Sequence, residues 1–168
     1  LIGFQLDPAV LGFAGHDLQR PECVLAEPDG TLWSADARGG VMRIASDGEQ
    51  ELICQQSDDH FDLASSAKTS LVSGTLPNGL AFAADGNILI SNFGTDRLEI
   101  MDRVTGRTRI LHDSIDGMPM GKVNFVLRDM HDRLWITVST RVNPWTEAIT
   151  PGIADGYIAL VDGDGIRV

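Results

Sequence analysis

Three stretches of the chain superpose without gaps: Glu22 to Asp36 (ECVLAEPDGTLWSAD), Asn78 to Asn92 (NGLAFAADGNILISN) and Asn124 to Val138 (NFVLRDMHDRLWITV). An internal repeat limits the fold more than local propensity does, because each copy must be one supersecondary unit that buries its apolar faces against its neighbours. Every copy opens on a polar residue, runs through a short apolar stretch, turns, and returns as a second apolar strand. Two of the turns, Pro28-Asp29-Gly30 and Ala84-Asp85-Gly86, carry Asp-Gly between apolar runs, a strong hairpin signal because both residues tolerate positive φ. The third, His131-Asp132-Arg133, is a weaker turn that keeps the register. Trp33, Leu89 and Trp135 fall in one column and read as packing between adjacent units.

A second strand pair follows each hairpin. Gly39–Ile44 leads through Ser46-Asp47-Gly48 to Glu51–Ile53, Asp96–Met101 through Val104-Thr105-Gly106 to Arg109–Leu111, and Gly156–Val161 through Asp162–Gly165 to Ile166–Val168. Each repeat thus offers four short strands, and no long stretch has the 3.6-residue apolar period of a helix. The copies begin 56 and 46 residues apart, near the spacing of propeller blades. The expectation is an all-β chain: a β-propeller of the six-bladed type with three four-stranded blades, at about 20–54, 75–112 and 120–168, and a polar, Ser-rich loop at 55–74. A closed propeller ring takes about four to eight blades, so three form an incomplete ring. The expectation is an N-terminal fragment, completed by blades of the same longer chain or of another chain.

Composition narrows the function classes. With a net charge of −11 the chain is a poor ligand for nucleic acid, which is bound by releasing counterions with Lys and Arg. The acidity fits a protein that holds a hard cation, although a solvated acidic surface is the commoner cause. No apolar run approaches the roughly 20 residues of a membrane span. The opening Leu1 to Phe13 is broken by Gly3, Gln5, Asp7 and Pro8 and lacks a basic flank, unlike a signal peptide. Cys23 and Cys54 form no C-x-x-C pair and read as small buried hydrophobes, which fits a reducing, cytoplasmic setting.

In a propeller the first strand of each blade lines the central channel, so equivalent strand starts converge. Here that column is Glu22, Asn78 and Asn124. One carboxylate and two carboxamides are oxygen donors suited to Ca²⁺, Mg²⁺ or Mn²⁺ rather than to soft metals. The competing reading is turn chemistry, in which Asn bonds neighbouring backbone.

The strings RPECVLAEPDGTLWSADARGGVMRI, LPNGLAFAADGNILISNFGTDRL and GKVNFVLRDMHDRLWITVST resemble, in order, the first three blades of the gluconolactonase/senescence-marker-protein (regucalcin) family. The resemblance covers nearly the whole chain outside 55–74. It implies a six-bladed propeller holding one divalent cation, Ca²⁺ first with Zn²⁺, Mg²⁺ or Mn²⁺ as alternatives, and an activity that opens sugar-type lactones. By that resemblance Glu22 and Asn124 are metal ligands, and Asn78, in the Asn-Gly-Leu motif, and Lys122 are substrate-binding. Two further ligands, an Asn and an Asp that is also the general base, belong to later blades, so no catalytic base is expected in this chain. Three positions depart from the family pattern. Phe125 stands where Asp is common, Lys122 where Arg is, and Cys23 where Gly is. Lys keeps the charge but not the planar fork, which bears on substrate preference.

Other motifs carry less. Ser65-Ser66-Ala67-Lys68 spells S-x-x-K, but that chemistry needs a helix and companion motifs missing here. Asp162-Gly163-Asp164-Gly165 lacks the spacing of a calcium loop and reads as a hairpin turn. Asp58-Asp59-His60-Phe61-Asp62 reads as a solvated acidic loop, and His16, His112 and His131 have no zinc-site spacing. Propellers serve unrelated roles, so two alternatives stand beside the lactonase. One is a non-catalytic propeller binding a protein or small ligand on its channel face; the other is a strictosidine-synthase-like or lactonase-like relative acting on a different ester.

Overall fold

A computed structural model describes Gly3, residues 5–57 and residues 74–168. The motifs at 58–62 and 65–68, and most of the 55–74 loop, lie outside the described residues. Three four-stranded antiparallel sheets follow one another along the chain, each in simple up-and-down order. Blade 1 is β1 (Val24–Ala26), β2 (Leu32–Asp36), β3 (Gly40–Ile44) and β4 (Gln50–Cys54). Blade 2 is β5 (Pro77–Phe82), β6 (Ile88–Asn92), β7 (Arg97–Met101) and β8 (Thr108–His112). A small hairpin, β9 (Ser114–Ile115) with β10 (Met118–Pro119), leads into blade 3. That blade is β11 (Val123–Arg128), β12 (Leu134–Val138), β13 (Tyr157–Asp162) and β14 (Gly165–Arg167).

The repeat is visible in the backbone bonds. The first hairpin of each blade closes with one pattern: Glu27 N to Thr31 O and Gly30 N to Glu27 O in blade 1, Ala83 to Asn87 and Gly86 to Ala83 in blade 2, Asp129 to Arg133 and Asp132 to Asp129 in blade 3. The residue that must turn left-handed is Gly30 (φ 91°), then Gly86 (φ 84°), then Asp132 (φ 65°). Asp tolerates that region better than most side chains, which is why blade 3 keeps the turn without its glycine. The equivalent triplet is therefore Met130-His131-Asp132, one residue earlier than the sequence expectation.

Apolar side chains alternate to the two faces of each sheet and pack between blades. Trp33, Ala35, Val41 and Ile53 of blade 1 meet Leu80, Ile88, Ile90 and Met101 of blade 2. Ala81, Leu89, Leu98 and Ile100 of blade 2 meet Val126, Ile136, Val138 and Ala159 of blade 3. The column thus packs as expected for Trp33 and Leu89, both 2% exposed. Trp135 is only partly buried, on a face of blade 3 where Phe125, Leu127 and Ile158 are exposed. No helix among the described residues is long and apolar enough to cross a membrane.

Candidate functional site

Because strands alternate in direction, the start of each first strand, the turn between second and third strands, and the link entering the next blade share one end of the molecule. The column residues all lie at that end. Asn78 and Asn124 occupy the same irregularity: pairing runs from Pro77–Asn92 directly to Gly79–Ser91, and from Val123–Val138 directly to Phe125–Thr137. Each Asn is the extra residue of a β-bulge, a device that re-aims a side chain and recurs beside active sites. In blade 1 the same pairing survives as Ala35 N donating to Cys23 O at 3.2 Å, which leaves Glu22 at the matching position just outside β1.

β5 lies between β1 and β11 along the inner edge. Asn78 is 5% exposed, and its Nδ2 donates to the backbone carbonyl of Asn124 at 2.8 Å. That bond fixes the amide, and its other end, Oδ1, is buried with no donor. Gly79 makes the approach possible: a Cβ there would lie 2.6 Å from Phe125 Cα and 3.0 Å from Asn124 O. On the other side the Cys23 thiol donates to Leu80 O at 3.6 Å, and burial pushes that thiol up.

The two charged candidates are both engaged. Glu22 Oε1 is ion-paired with Arg20 Nε at 3.0 Å. Lys122 Nζ lies 2.7 Å from Asp96 Oδ1, donates to Phe93 O at 3.2 Å and sits 5.5 Å over the Phe93 ring. The structure therefore brings Asn78 and Asn124 into direct contact, while Lys122 is spent on the β6–β7 turn of blade 2. Trp145, from the long connection between β12 and β13, meets Phe93 edge-on at 5.5 Å and packs on the cluster of Ala37, Leu76 and Phe93. A loop of blade 3 thus reaches across blades 1 and 2 at the end that carries the column.

At the same end of blade 2, on β6 and β7 rather than β5, lies a polar knot that the sequence did not single out. Glu99 is fully buried and accepts from Gln55 Nε2 (2.7 Å), Asn92 Nδ2 (2.9 Å) and Thr95 Oγ1 (2.8 Å). Asn92 Oδ1 accepts from the backbone N–H of Leu76, Gly94 and Thr95. Burial pushes the Glu99 carboxyl above its ordinary value, against the lowering effect of those bonds. In blade 1 Asp36 holds the place of Asn92, accepting from Gln19 N, Arg38 N and the Arg38 side chain. There burial raises the carboxyl, but the Arg38 and backbone bonds outweigh it and the net shift is downward. The repeat signals these residues: Asp36 and Asn92 end the second strand of their copies.

Among the described residues no three His, Cys, Asp or Glu side chains gather as a metal site. Glu22, Asn78 and Asn124 supply one carboxylate and two amides, the donor chemistry a hard cation takes. The orphaned Asn78 Oδ1 fits such a role.

No family model matches the chain, and no curated protein matches it. Solved structures do. A gluconolactonase from Xanthomonas campestris is 15% identical with a TM-score of 0.58, over 83% of this chain and 43% of that one. A putative gluconolactonase is 22% identical with a TM-score of 0.55, over 93% and 50%. A catalytically inactive virginiamycin B lyase from Staphylococcus aureus, with quinupristin, is 15% identical with a TM-score of 0.57, over 90% and 41%. The chain spans half or less of the length of these structures. At such identities the likeness shows the fold: three consecutive blades of a β-propeller.

Proposed function

We propose that this chain supplies three blades and the first part of the metal site of a hydrolase that opens sugar-type lactones, as gluconolactonases do. The observation that carries the reading is the pair of matched bulges, with Asn78 donating to Asn124 O while its Oδ1 stays buried and unpartnered. Since lyases share the fold, the choice of reaction rests on the column and on the ordered motifs around it rather than on shape.

In this reading Glu22 and Asn124 hold the cation, and Asn78 Oδ1 faces the cation or a substrate hydroxyl. A divalent cation bound there, Ca²⁺ first, supplies Lewis-acid polarisation of a lactone carbonyl. Lys122, clamped by Asp96 and the Phe93 carbonyl, acts on the substrate by holding the wall formed by Phe93 and Trp145 in place. The general base and remaining ligands come from further blades, of the same longer chain or another chain. The exposed apolar face of blade 3 supports that part of the reading. A reducing, cytoplasmic setting fits the free Cys23 and Cys54.

A Ca²⁺ thermal-shift comparison of wild type, Glu22→Gln and Asn124→Ala tests the site. Both variants should lose most of the shift, and an unchanged shift in both sinks the ligand assignment. A non-catalytic propeller binding through its channel face is the second reading, favoured by the ion pairs that already occupy Glu22 and Lys122. It expects Glu22→Ala to retain ligand binding.

A further inference from the structure

We infer that Arg20 is the resident counter-ion of Glu22 and that a divalent cation displaces it, so that this arginine sets how tightly the column holds metal. The inference rests on Glu22 being a ligand, as proposed above.

Three observations converge on Arg20. Its Nε lies 3.0 Å from Glu22 Oε1, on the carboxylate the cation needs. One arm of its guanidinium, Nη1, is buried and meets no acceptor. A fork that gives two parallel bonds locks onto a carboxylate, whereas one with a stranded arm holds less firmly. Its backbone is left-handed, with φ 51°, although it is neither glycine nor asparagine and it precedes Pro21. Both conditions disfavour that region sterically, and such strain collects at ligand clamps.

The neighbouring backbone keeps the strained residue in place. Gln19 N donates to Asp36 Oδ2 at 3.0 Å, and Gln19 O accepts from Ala37 N at 2.8 Å. The chain entering Arg20 is thereby pinned to the β2–β3 turn, and its side chain is aimed at Glu22. The Glu22 side chain is 40% exposed, so an ion from solvent can reach it. Guanidinium and divalent cation repel each other on one carboxylate, so the two compete for Glu22 and each weakens the other's hold. Occupation by the cation frees the arginine to turn its stranded arm to an acceptor.

The test is calorimetric titration of Ca²⁺ into the whole 168-residue chain as wild type, Arg20→Gln, Arg20→Lys, Glu22→Gln and Arg103→Gln. Arg103 pairs with Glu27 beyond the far end of β1, so its variant makes the same charge change away from the column. Arg20→Gln should bind Ca²⁺ about five- to tenfold tighter, Arg20→Lys close to wild type, and Arg103→Gln within about twofold of it. Glu22→Gln should lose most binding. If Glu22→Gln weakens binding but Arg20→Gln does not tighten it, the counter-ion inference falls and the ligand reading stands. If Arg103→Gln tightens as much as Arg20→Gln, the effect is general charge and the inference falls. If Glu22→Gln binds like wild type, or wild type binds no Ca²⁺, both fall. The Arg20 Nε–H resonance of the unaltered protein gives a second readout. Ca²⁺ should shift it and speed its exchange with water, and an unmoved signal overturns the exchange.

Discussion

The side-chain amide of Asn78 donates to the main-chain carbonyl of Asn124 at 2.8 Å, so the second and third blades meet through the two residues that also share the channel column. The bond spends the amide nitrogen on structure and leaves the amide oxygen buried without a donor. Both residues are the extra members of β-bulges, so their side chains leave the alternation of the flanking strand.

Asn78→Asp should therefore become cation-dependent. The variant loses the donor and sets a carboxylate against the Asn124 carbonyl, a buried mismatch costing about 1–3 kcal/mol. A cation beside it relieves that repulsion. Ca²⁺ should raise the Tm of Asn78→Asp more than that of wild type, by several degrees, since 1 kcal/mol corresponds to about 2–4 °C in a domain of this size. Equal shifts in a thermal-shift assay argue that no cation reaches Asn78.

Gly79→Ala should separate the two blades. Its added methyl would stand 2.6 Å from Phe125 Cα, which is backbone and cannot swing aside. Overpacking of this kind costs about 1–3 kcal/mol. Urea unfolding should show that loss, and the Ca²⁺ response should weaken with it because β11 carries Asn124. A variant as stable as wild type would mean that β5 and β11 lie farther apart than described.

Much of this was legible in the sequence. The period placed all twelve blade strands, because two alternating apolar runs around a turn admit one local structure whatever surrounds them. It also placed Glu22, Asn78 and Asn124 in one column. The bulges were not legible, since the extra residue falls at the very start of each first strand, where too few residues precede it for the break in alternation to be read. Nor was the fate of Lys122: its partner Asp96 lies in a turn 26 residues earlier, brought near only when blade 3 packs on blade 2. Blade 3's first turn falls one residue earlier than its Asp132-Arg133 pair suggests, because Asp132 takes the left-handed position that glycine holds elsewhere. Arg20 carried a signal, Arg before Pro two residues ahead of Glu22, that gains meaning only once its φ is known.

The tryptophan column gives a contrast of positions within one repeat. Trp33 is 2% exposed between blades 1 and 2, and its Nε1 donates to Glu27 at 2.7 Å. Trp135 makes the matching bond to Asp129 at 3.0 Å but is only partly buried. Trp33→Ala should cost about 3–5 kcal/mol, the range for a buried aromatic, and Trp135→Ala under about half of that. Equal losses in urea unfolding would place a covering surface on the outward face of blade 3.

Glu99 makes stability depend on pH in a direction opposite to that of a salt-bridged carboxylate. Its folded-state value is raised above the ordinary 4.5 by burial. The folded protein therefore keeps this proton at pH values where the unfolded chain has released it, so stability falls as pH rises from the ordinary value through the raised one. Below the ordinary value the group is protonated in both states and its contribution is fully favourable. Glu99→Gln removes the titration while keeping an acceptor for Gln55 and Asn92 and a donor for Thr95, and any packing difference it introduces is independent of pH. The stability of Glu99→Gln relative to wild type should rise between about pH 4 and pH 8, as measured by paired urea titrations. A flat difference would mean that the carboxyl titrates normally, and a falling one that a cation near the knot holds it ionised.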